Sequence, residues 1–227
     1  MWGSNLPEPR AILVVSGYWE EGPLTLGRTD TYAELLYDFS GLPEELYRLQ
    51  HPAPGAPLLA DRVEDLSGRW PVVRSDRSLD HGAWMPLRHM FPGARIPVLQ
   101  ISMPQEFSDQ ELFDLGETLS PLQDEGVFLL GSGNVTHDIR LPATQRPVQP
   151  GYAVMFDWWV RDTMERRDDI ALIDWMRQGP MPRESHPTPE HFRPLLVPLG
   201  VSRDEWVAFP VEGFEHGTLS VRCAQFG

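Results

Sequence analysis

The chain has 227 residues, which is long enough to bury a sizeable core without disulfide bonds. Its single cysteine, Cys223, rules out a disulfide framework. Its formal net charge of −14 at pH 7 argues against nucleic acid or an anionic membrane as a partner, because both attract basic faces. No apolar run approaches the roughly 18 residues of a membrane span. The first residues lack the charged and apolar regions of a secretory signal, so we expect a cytoplasmic protein with no membrane partner.

Three short apolar runs predict the central strands of an α/β fold. They cover residues 11–16, 96–102 and 127–132. Continuous apolar runs of this length are typical of strands that are buried on both faces of a parallel sheet. We therefore expect one domain over residues 1–227, built on a mixed or mainly parallel central sheet with helices on both faces. The three runs should be adjacent central strands of that sheet.

The remaining pattern predicts helices and a final pair of strands. Helical periodicity covers residues 57–66, 107–122, 151–164 and 170–177. Ser108 is the expected N-cap of the second of these helices. Two short runs, at residues 206–210 and 219–224, predict strands at the C-terminal end.

Two histidines flank a proline-rich stretch near residue 190. His186 stands in a loop, and Thr188 is the expected N-cap of a short helix that Pro189 begins and that carries His191 in its first turn. Imidazoles that are five residues apart can converge on a cleft or on a metal ion. Solvated loop histidines are the alternative, and the spacing alone does not separate the two interpretations.

Two further histidines stand beside glycine-containing turns. His81 is the middle residue of the Asp-His-Gly turn at residues 80–82, where the carboxylate could orient the imidazole and the glycine permits close backbone approach. His137 follows the strand at 127–132 and the Gly-Ser-Gly-Asn turn at 131–134, and α/β sheets bind ligands at the carboxyl ends of strands. An ordinary turn and a core histidine are the alternatives, although the polar neighbours of His137 favour a site.

Motifs in one consistent order along nearly the whole chain carry a family resemblance. They are residues 6–19, the loop at 37–43, residues 47–57, Asp80-His81-Gly82, Gly131-Ser132-Gly133-Asn134 with His137, residues 187–192 and residues 210–213. Together these motifs resemble the class III extradiol ring-cleavage dioxygenases, and above all the branch of the 4,5-DOPA extradiol dioxygenases.

The resemblance implies a ring-opening dioxygenase that uses O2 and a non-haem metal, Fe(II) or Zn(II), on a small catechol-like aromatic substrate. It assigns His191 to the metal site, His137 to the metal site or to acid–base catalysis, and His81 to catalysis. The residues expected to contact the substrate are Tyr18, Tyr37 and His186. We expect His81, His137 and His191 to converge on one cleft, with Tyr18 at its wall.

The sequence departs from the family pattern at metal-ligand positions. Relatives carry one ligand histidine in a His-Gly-Ser-Pro turn after a first strand, and the present sequence is expected to begin after that strand. The next ligand histidine, usual in Ser-Ala-His-Trp, is replaced by Tyr18, and the family's His-Asp-Phe loop begins here with Tyr37. Because a catalytic metal needs about three protein ligands, these changes predict weaker metal binding than in relatives, unless a phenolate or carboxylate completes the shell.

Three functional interpretations remain open on the sequence. The first is a working ring-opening dioxygenase with a modified metal site. The second is a metal-free relative that binds or converts a small aromatic ligand, and the third is a non-catalytic interaction protein. Metal content separates the first from the others, and binding of aromatic compounds separates the second from the third. The oligomeric state is left open.

Overall fold

The computed structural model of the protein describes residues 2–140, 142–146, 148–202 and 205–227. Its strands are β1 (Ala11–Glu20), β2 (Leu24–Leu26), β3 (Val72–Arg74), β4 (Val98–Met103), β5 (Val127–Ser132), β6 (Val207–Val211), β7 (Phe214–Glu215), β8 (Leu219–Ser220) and β9 (Cys223–Phe226). Its α-helices are α1 (Pro57–Leu66), α2 (His81–Met90), α3 (Asp109–Leu119), α4 (Pro121–Asp124), α5 (Gly151–Glu165), α6 (Asp169–Ile173), α7 (Trp175–Gln178), α8 (Pro182–Ser185) and α9 (Leu196–Ser202).

The chain forms two compact units. The first contains residues 1–107 and 118–132, and the second contains residues 108–117 and 133–227. Within the described part of the chain, no helix has the length and apolar character needed to cross a bilayer.

The first unit is built on a sheet with the strand order β3-β2-β4-β1-β5. β1 pairs in parallel with β4 and with β5, so that Ile12 lies opposite both Val98 and Phe128. β2 pairs in parallel with β3 and meets β4 in the antiparallel sense. The α/β class and the mainly parallel sheet are therefore confirmed, and the three predicted strands are neighbours.

The apolar runs of β1 and β4 are explained by their burial. Every residue of β4 is buried, and so are the residues of β1 from Ile12 to Gly17. Ile12 and Val14 belong to a core cluster that includes Trp84 and Leu87 of α2. A strand that is covered on both faces has no polar side to display, and this is why its sequence does not alternate.

The expectation that β5 is an internal strand is wrong. β5 ends the strand order, and all six of its residues are only half-buried. Its side chains pack against helices of the same unit, as in the contact of Phe128 with Phe91 at the end of α2, where the ring centroids are 6.1 Å apart. Side-chain packing, and not strand pairing along both edges, accounts for the apolar run at this position.

The predicted helices differ from the structure mainly at prolines and ends. The helix expected over 107–122 divides into α3 and α4, because Pro121 has no backbone N–H with which to continue α3. Ser108 caps α3 as expected: its Oγ accepts the backbone N–H of Glu111, and the Glu111 carboxylate accepts the N–H of Ser108. The segment 170–177 divides into α6 and α7, and the strand expected at 219–224 divides into β8 and β9.

The second unit contains a buried ion pair that joins α5 to the segment between β8 and β9. Arg222 donates from Nη2 to Asp157 Oδ2 at 2.6 Å and from Nε to Oδ1 at 3.0 Å. The two side chains are 4% and 3% exposed. Ser220 also donates to Asp157 Oδ1, at 2.5 Å. The carboxylate therefore exchanges its water for three protein donors, which is the condition for a buried charge to be tolerated.

Substitution of Arg222 by Met should remove the cation and leave Asp157 buried with one donor. We expect Arg222→Met to lower the free energy of unfolding by about 3–5 kcal/mol, the usual cost of breaking a buried pair from one side. Urea denaturation at pH 7 measures this loss. Arg166→Met is the matched control, because Arg166 pairs with Asp162 on the surface of α5 and an exposed pair contributes about 1 kcal/mol or less. Equal losses in the two variants would contradict the assignment.

Candidate functional site

Tyr18 and His81 lie together in the first unit. Tyr18 is near the end of β1, His81 is the first residue of α2, and their ring centroids are 4.0 Å apart. Gly82 makes this contact possible, because a Cβ at that position would overlap Ser16 Oγ and lie 2.8 Å from Cδ2 of Tyr18. The first turn of α2 therefore packs directly against the end of β1.

The imidazole of His81 is held by Asp38, which lies in the segment between β2 and α1. Asp38 Oδ1 lies 2.6 Å from His81 Nδ1 and also accepts the backbone N–H of His81 at 3.1 Å. Burial by itself would raise the pKa of Asp38, but the hydrogen bonds from His81 outweigh it and lower the pKa of that carboxyl below its ordinary value. Asp38 is thus an ionised acceptor at neutral pH. No local pattern in the sequence indicates this pair, because 43 residues separate its members.

The expectation that Asp80 orients His81 is wrong. Asp80 is the N-cap of α2 and accepts the backbone N–H of Ala83 at 3.0 Å. Its other oxygen accepts Nε2 of Gln100 at 2.6 Å. A carboxylate that immediately precedes a helix satisfies the free N–H groups of the first turn, and that geometry turns it away from the neighbouring imidazole.

Tyr37 is held by its own structural contacts in the first unit. Its hydroxyl donates to the carbonyl of Leu49 at 2.5 Å, and its ring meets Trp84 edge-on with centroids 5.5 Å apart. The same residue lines a cavity of about 350 Å³ together with Tyr32 and His51. Burial and the nearby Arg88 lower the pKa of His51, a residue that the sequence did not single out. Contact of Tyr37 with a substrate stays a prediction.

His137 and His191 meet in the second unit. Their ring centroids are 3.6 Å apart with the planes inclined by 34°. The backbone N–H of Asn134 donates to the carbonyl of His191 at 2.8 Å, and the N–H of His137 donates to the carbonyl of Ser185 at 2.9 Å. A Cβ at Gly133 would overlap the His191 carbonyl oxygen. The loop after β5 and the loop that carries His191 are therefore joined backbone to backbone.

The local structure around His191 differs from the expected helix start. His191 lies in a turn in which the backbone N–H of Phe192 donates to the carbonyl of Pro189 at 3.0 Å. A short 3-10 helix follows at Arg193–Leu195, and α9 begins only at Leu196. Thr188 donates to Glu190 and does not cap a helix. Because Pro194 cannot donate a backbone hydrogen bond, the regular helix starts later than the apolar spacing predicts.

His186 is a core residue of the second unit. It is 1% exposed, and its ring lies 5.4–5.6 Å from the rings of Phe156, Trp175 and Phe192. Its Nε2 donates to the carbonyl of Val135 at 2.8 Å, and among the described residues its buried Nδ1 has no partner. Burial lowers the pKa of His186 to about 4, so this imidazole is neutral at physiological pH. Contact with a substrate stays a prediction here, and packing gives His186 a structural role.

His137 is also held neutral by its surroundings. Burial lowers its pKa, and Arg146 acts in the same direction, while the carboxylates of Glu190 and Asp138 oppose them. A neutral imidazole has one nitrogen with a lone pair, and that nitrogen can bind a metal or accept a proton.

The described residues do not complete a metal site. Within that part of the chain, no three His, Cys, Asp or Glu side chains are grouped as a metal requires. The rings of His137 and His191 lie with their centroids 3.6 Å apart and their planes tilted by 34°. The structure thus brings together Tyr18 with His81 and, separately, His137 with His191. Convergence of all three histidines on one cleft stays a prediction.

The described structure combines a mainly parallel α/β sheet with loops that carry histidines. Residues 3–226 match the family described as the catalytic LigB subunit of aromatic ring-opening dioxygenase, and the chain belongs to that family.

Relatives in this family agree with the motif resemblance. The chain is 38% identical over 200 residues to a 4,5-DOPA dioxygenase extradiol of Beta vulgaris. The aligned region covers 86% of this chain and 74% of the relative. The chain is 36% identical over 237 residues to a protein of the same name in Escherichia coli strain K12, with 99% of this chain and 85% of the relative covered. The crystal structure of an uncharacterized Escherichia coli K12 protein superposes with a TM-score of 0.83 at 34% identity, covering 99% of this chain and 89% of that chain.

A side chain at Gly82 should disturb the contact between α2 and β1. We expect Gly82→Ala to lower the free energy of unfolding by about 1–3 kcal/mol, the usual cost of an added group in a packed contact. Gly151→Ala is the control, because a Cβ at the start of α5 meets no atom within 4 Å and alanine favours a helix. Denaturant unfolding of both variants measures the difference. A loss in Gly82→Ala no larger than that in Gly151→Ala would show that the contact is loose.

Acid should destabilise the second unit through His186. The unfolded chain takes up a proton near pH 6.5, while the folded chain resists it until about pH 4. The stability that depends on the neutral His186 is therefore fully present above pH 6.5. It is lost as the pH drops toward 4, by up to about 1.4 kcal/mol per pH unit. His186→Leu should flatten this dependence in unfolding experiments between pH 7.5 and 4.5. Parallel curves for the two proteins would contradict the burial of a neutral imidazole.

Proposed function

We propose that this chain is a ring-opening dioxygenase of the extradiol type that acts on a small catechol-like aromatic compound with O2. The observation that carries the proposal is the family match over residues 3–226. The motif resemblance assigns His81, His137 and His191 to the active site, and the proposal adopts that assignment. The pairing of His137 with His191 supports it, because two residues far apart in the sequence are held with their rings in contact.

We assign different roles to His137 and His191. Their rings are in contact, and we propose that one imidazole is the ligand while the other exchanges protons or hydrogen bonds with the substrate. His191 is the proposed metal-site residue, and His137 is the proposed acid–base residue. The neutral state of His137 suits this role, since only a neutral imidazole can take a proton from a catechol hydroxyl.

The proposed metal is Fe(II) or Zn(II), bound more weakly than in the relatives. A divalent cation contributes charge that favours the catecholate and holds the reactants together. The described residues offer no complete group of three ligands for it. By the motif resemblance, Tyr18 stands where relatives carry a ligand histidine, and a phenol must lose a proton with a pKa of about 10 before it binds a metal well.

A metal-free relative that binds or converts an aromatic ligand is the second candidate function. The observation that favours it is the cluster around His81, where Tyr18 and Phe39 place their rings at 4.0 and 5.3 Å from the imidazole. Aromatic faces together with one polar group are typical of sites for small aromatic molecules.

Anaerobic reconstitution with Fe(II), followed by elemental analysis and oxygen-uptake assays with catechol and DOPA, tests the proposal. We expect clearly less than one iron per chain and slow oxygen uptake. Tyr18→His should raise both quantities, because it supplies an imidazole at the ligand position. Tyr47→His is the matched control, since Tyr47 is another partly exposed tyrosine, and it should raise neither.

The remaining outcomes separate the alternatives. Near-stoichiometric iron and rapid uptake in the unsubstituted protein would show that the ligand count is wrong, while the dioxygenase proposal would stand. Absence of oxygen uptake in both the unsubstituted protein and Tyr18→His at full iron loading would overturn the dioxygenase proposal. Calorimetric titration of the metal-free protein with catechols then decides between an aromatic-binding relative, which gives saturable heats, and an interaction protein, which gives none.

A further inference from the structure

We infer that Asp38 is a positioning residue that fixes the tautomer of His81 and leaves Nε2 of that imidazole as a hydrogen-bond acceptor for the ligand. Neither the family match nor the motif pattern gives Asp38 a role. The inference about the tautomer is independent of the reaction, and only the identity of the ligand, a catechol-like hydroxyl group, rests on the proposed function.

The position of the proton follows from the two contacts of Asp38. An ionised carboxylate has no hydrogen to donate, so the 2.6 Å contact requires that His81 Nδ1 carries the proton. In the neutral form of this imidazole Nδ1–H is the only N–H group, and the second nitrogen, Nε2, holds the lone pair. No described residue is hydrogen-bonded to that nitrogen.

The surroundings of His81 hold the ring in this orientation. Oδ1 of Asp38 also accepts the backbone N–H of His81, so the carboxylate is fixed relative to the start of α2. Tyr18 packs against the imidazole at 4.0 Å, and Phe39, the neighbour of Asp38, meets it edge-on at 5.3 Å. A flip of the ring would break the charge-assisted hydrogen bond, and a displacement of the ring would lose both ring contacts. The side chain remains 15% exposed, which leaves part of it open to a ligand.

The chemical consequence is a basic nitrogen at a fixed place. Nε2 can accept the O–H of a catechol hydroxyl; if the proton transfers, the O–H bond breaks, an N–H bond forms, and catecholate and imidazolium result. Asp38 would stabilise the imidazolium across the existing Nδ1 hydrogen bond without taking up the proton. This division of roles is that of a carboxylate that orients a histidine base.

The tautomer can be measured without any catalytic activity. In 15N-labelled protein at pH 7.5, long-range 1H–15N correlations of the imidazoles distinguish protonated from unprotonated nitrogen, and His81→Gln identifies the His81 signals. We expect the Nδ1–H form in the unsubstituted protein. Asp38→Ala should return His81 to the Nε2–H form that free imidazoles favour. An Nε2–H form in the unsubstituted protein, or an unchanged tautomer in a folded Asp38→Ala variant, would overturn the inference.

Asp80→Ala provides the matched control for helix stability. Asp80 also accepts a backbone N–H in the first turn of α2 but does not bond the imidazole. Its substitution should lower thermal stability while His81 keeps the Nδ1–H form. If Asp38→Ala does not fold, Asp38→Asn retains the side-chain volume and gives the same test, because its amide can donate to Nδ1 and stabilise the Nε2–H form. An Nδ1–H form in Asp38→Asn would then count against the inference.

Oxygen uptake with catechol supplies the functional arm. In iron-loaded protein, Asp38→Ala should lower kcat by roughly 100-fold, within the range of acid–base catalysis, with a smaller change in KM. Asp38→Glu should recover part of the loss, because it retains a carboxylate. Equal kcat values in Asp38→Ala and the unsubstituted protein would contradict the positioning role even if the tautomer changed. Absence of uptake in all proteins would count against the proposed function, and the NMR result would still decide the inference about Asp38.

Discussion

The buried ion pair between Asp157 and Arg222 is the interaction on which the site-bearing part of the second unit depends. Desolvated charges are stable only when donors replace their water, and here Ser220 supplies the additional donor. Ser220 then extends the network through its backbone: its N–H donates to Thr136 Oγ1 at 2.9 Å, and its carbonyl accepts Nδ2 of Asn134 at 3.3 Å. The segment that leads to His137 is therefore positioned by a charge pair that lies outside it. The site geometry in this unit rests on electrostatics as much as on apolar packing.

The histidines of the chain show how surroundings control one kind of side chain. Burial lowers the pKa of His137 and His186, so both are kept neutral by the loss of water around them. His81 instead has a carboxylate at hydrogen-bond distance, which decides which nitrogen carries hydrogen. These three imidazoles differ in chemistry: His186 is neutral in the core, His137 is neutral in a ring pair, and His81 is bound to a carboxylate. The sequence presents all of them as the same letter.

Prediction from sequence succeeded where the signal is local and periodic. The apolar runs identified neighbouring parallel strands, and Ser108 with Glu111 formed the expected capping box, because both patterns follow from the nearest chain neighbours. It failed where partners come from distant segments. Apolar character could not distinguish the edge strand β5 from an internal one, since helix packing buries side chains as strand neighbours do. The Asp38–His81 pair and the aromatic surroundings of His186 arise from tertiary contacts, so no local sequence pattern predicts them.

The backbone bonds between the loop at Asn134–His137 and the segment at Ser185–His191 separate architecture from chemistry. Amide and carbonyl groups are the same in nearly every residue, so the two loops stay joined when most of their side chains are exchanged. Gly133 is the exception, because any larger residue would collide with the His191 carbonyl. Mutational change can thus alter the reactive groups presented by these loops while the scaffold that presents them persists. A fold of this kind can acquire or lose an activity through single side chains, without first losing its shape.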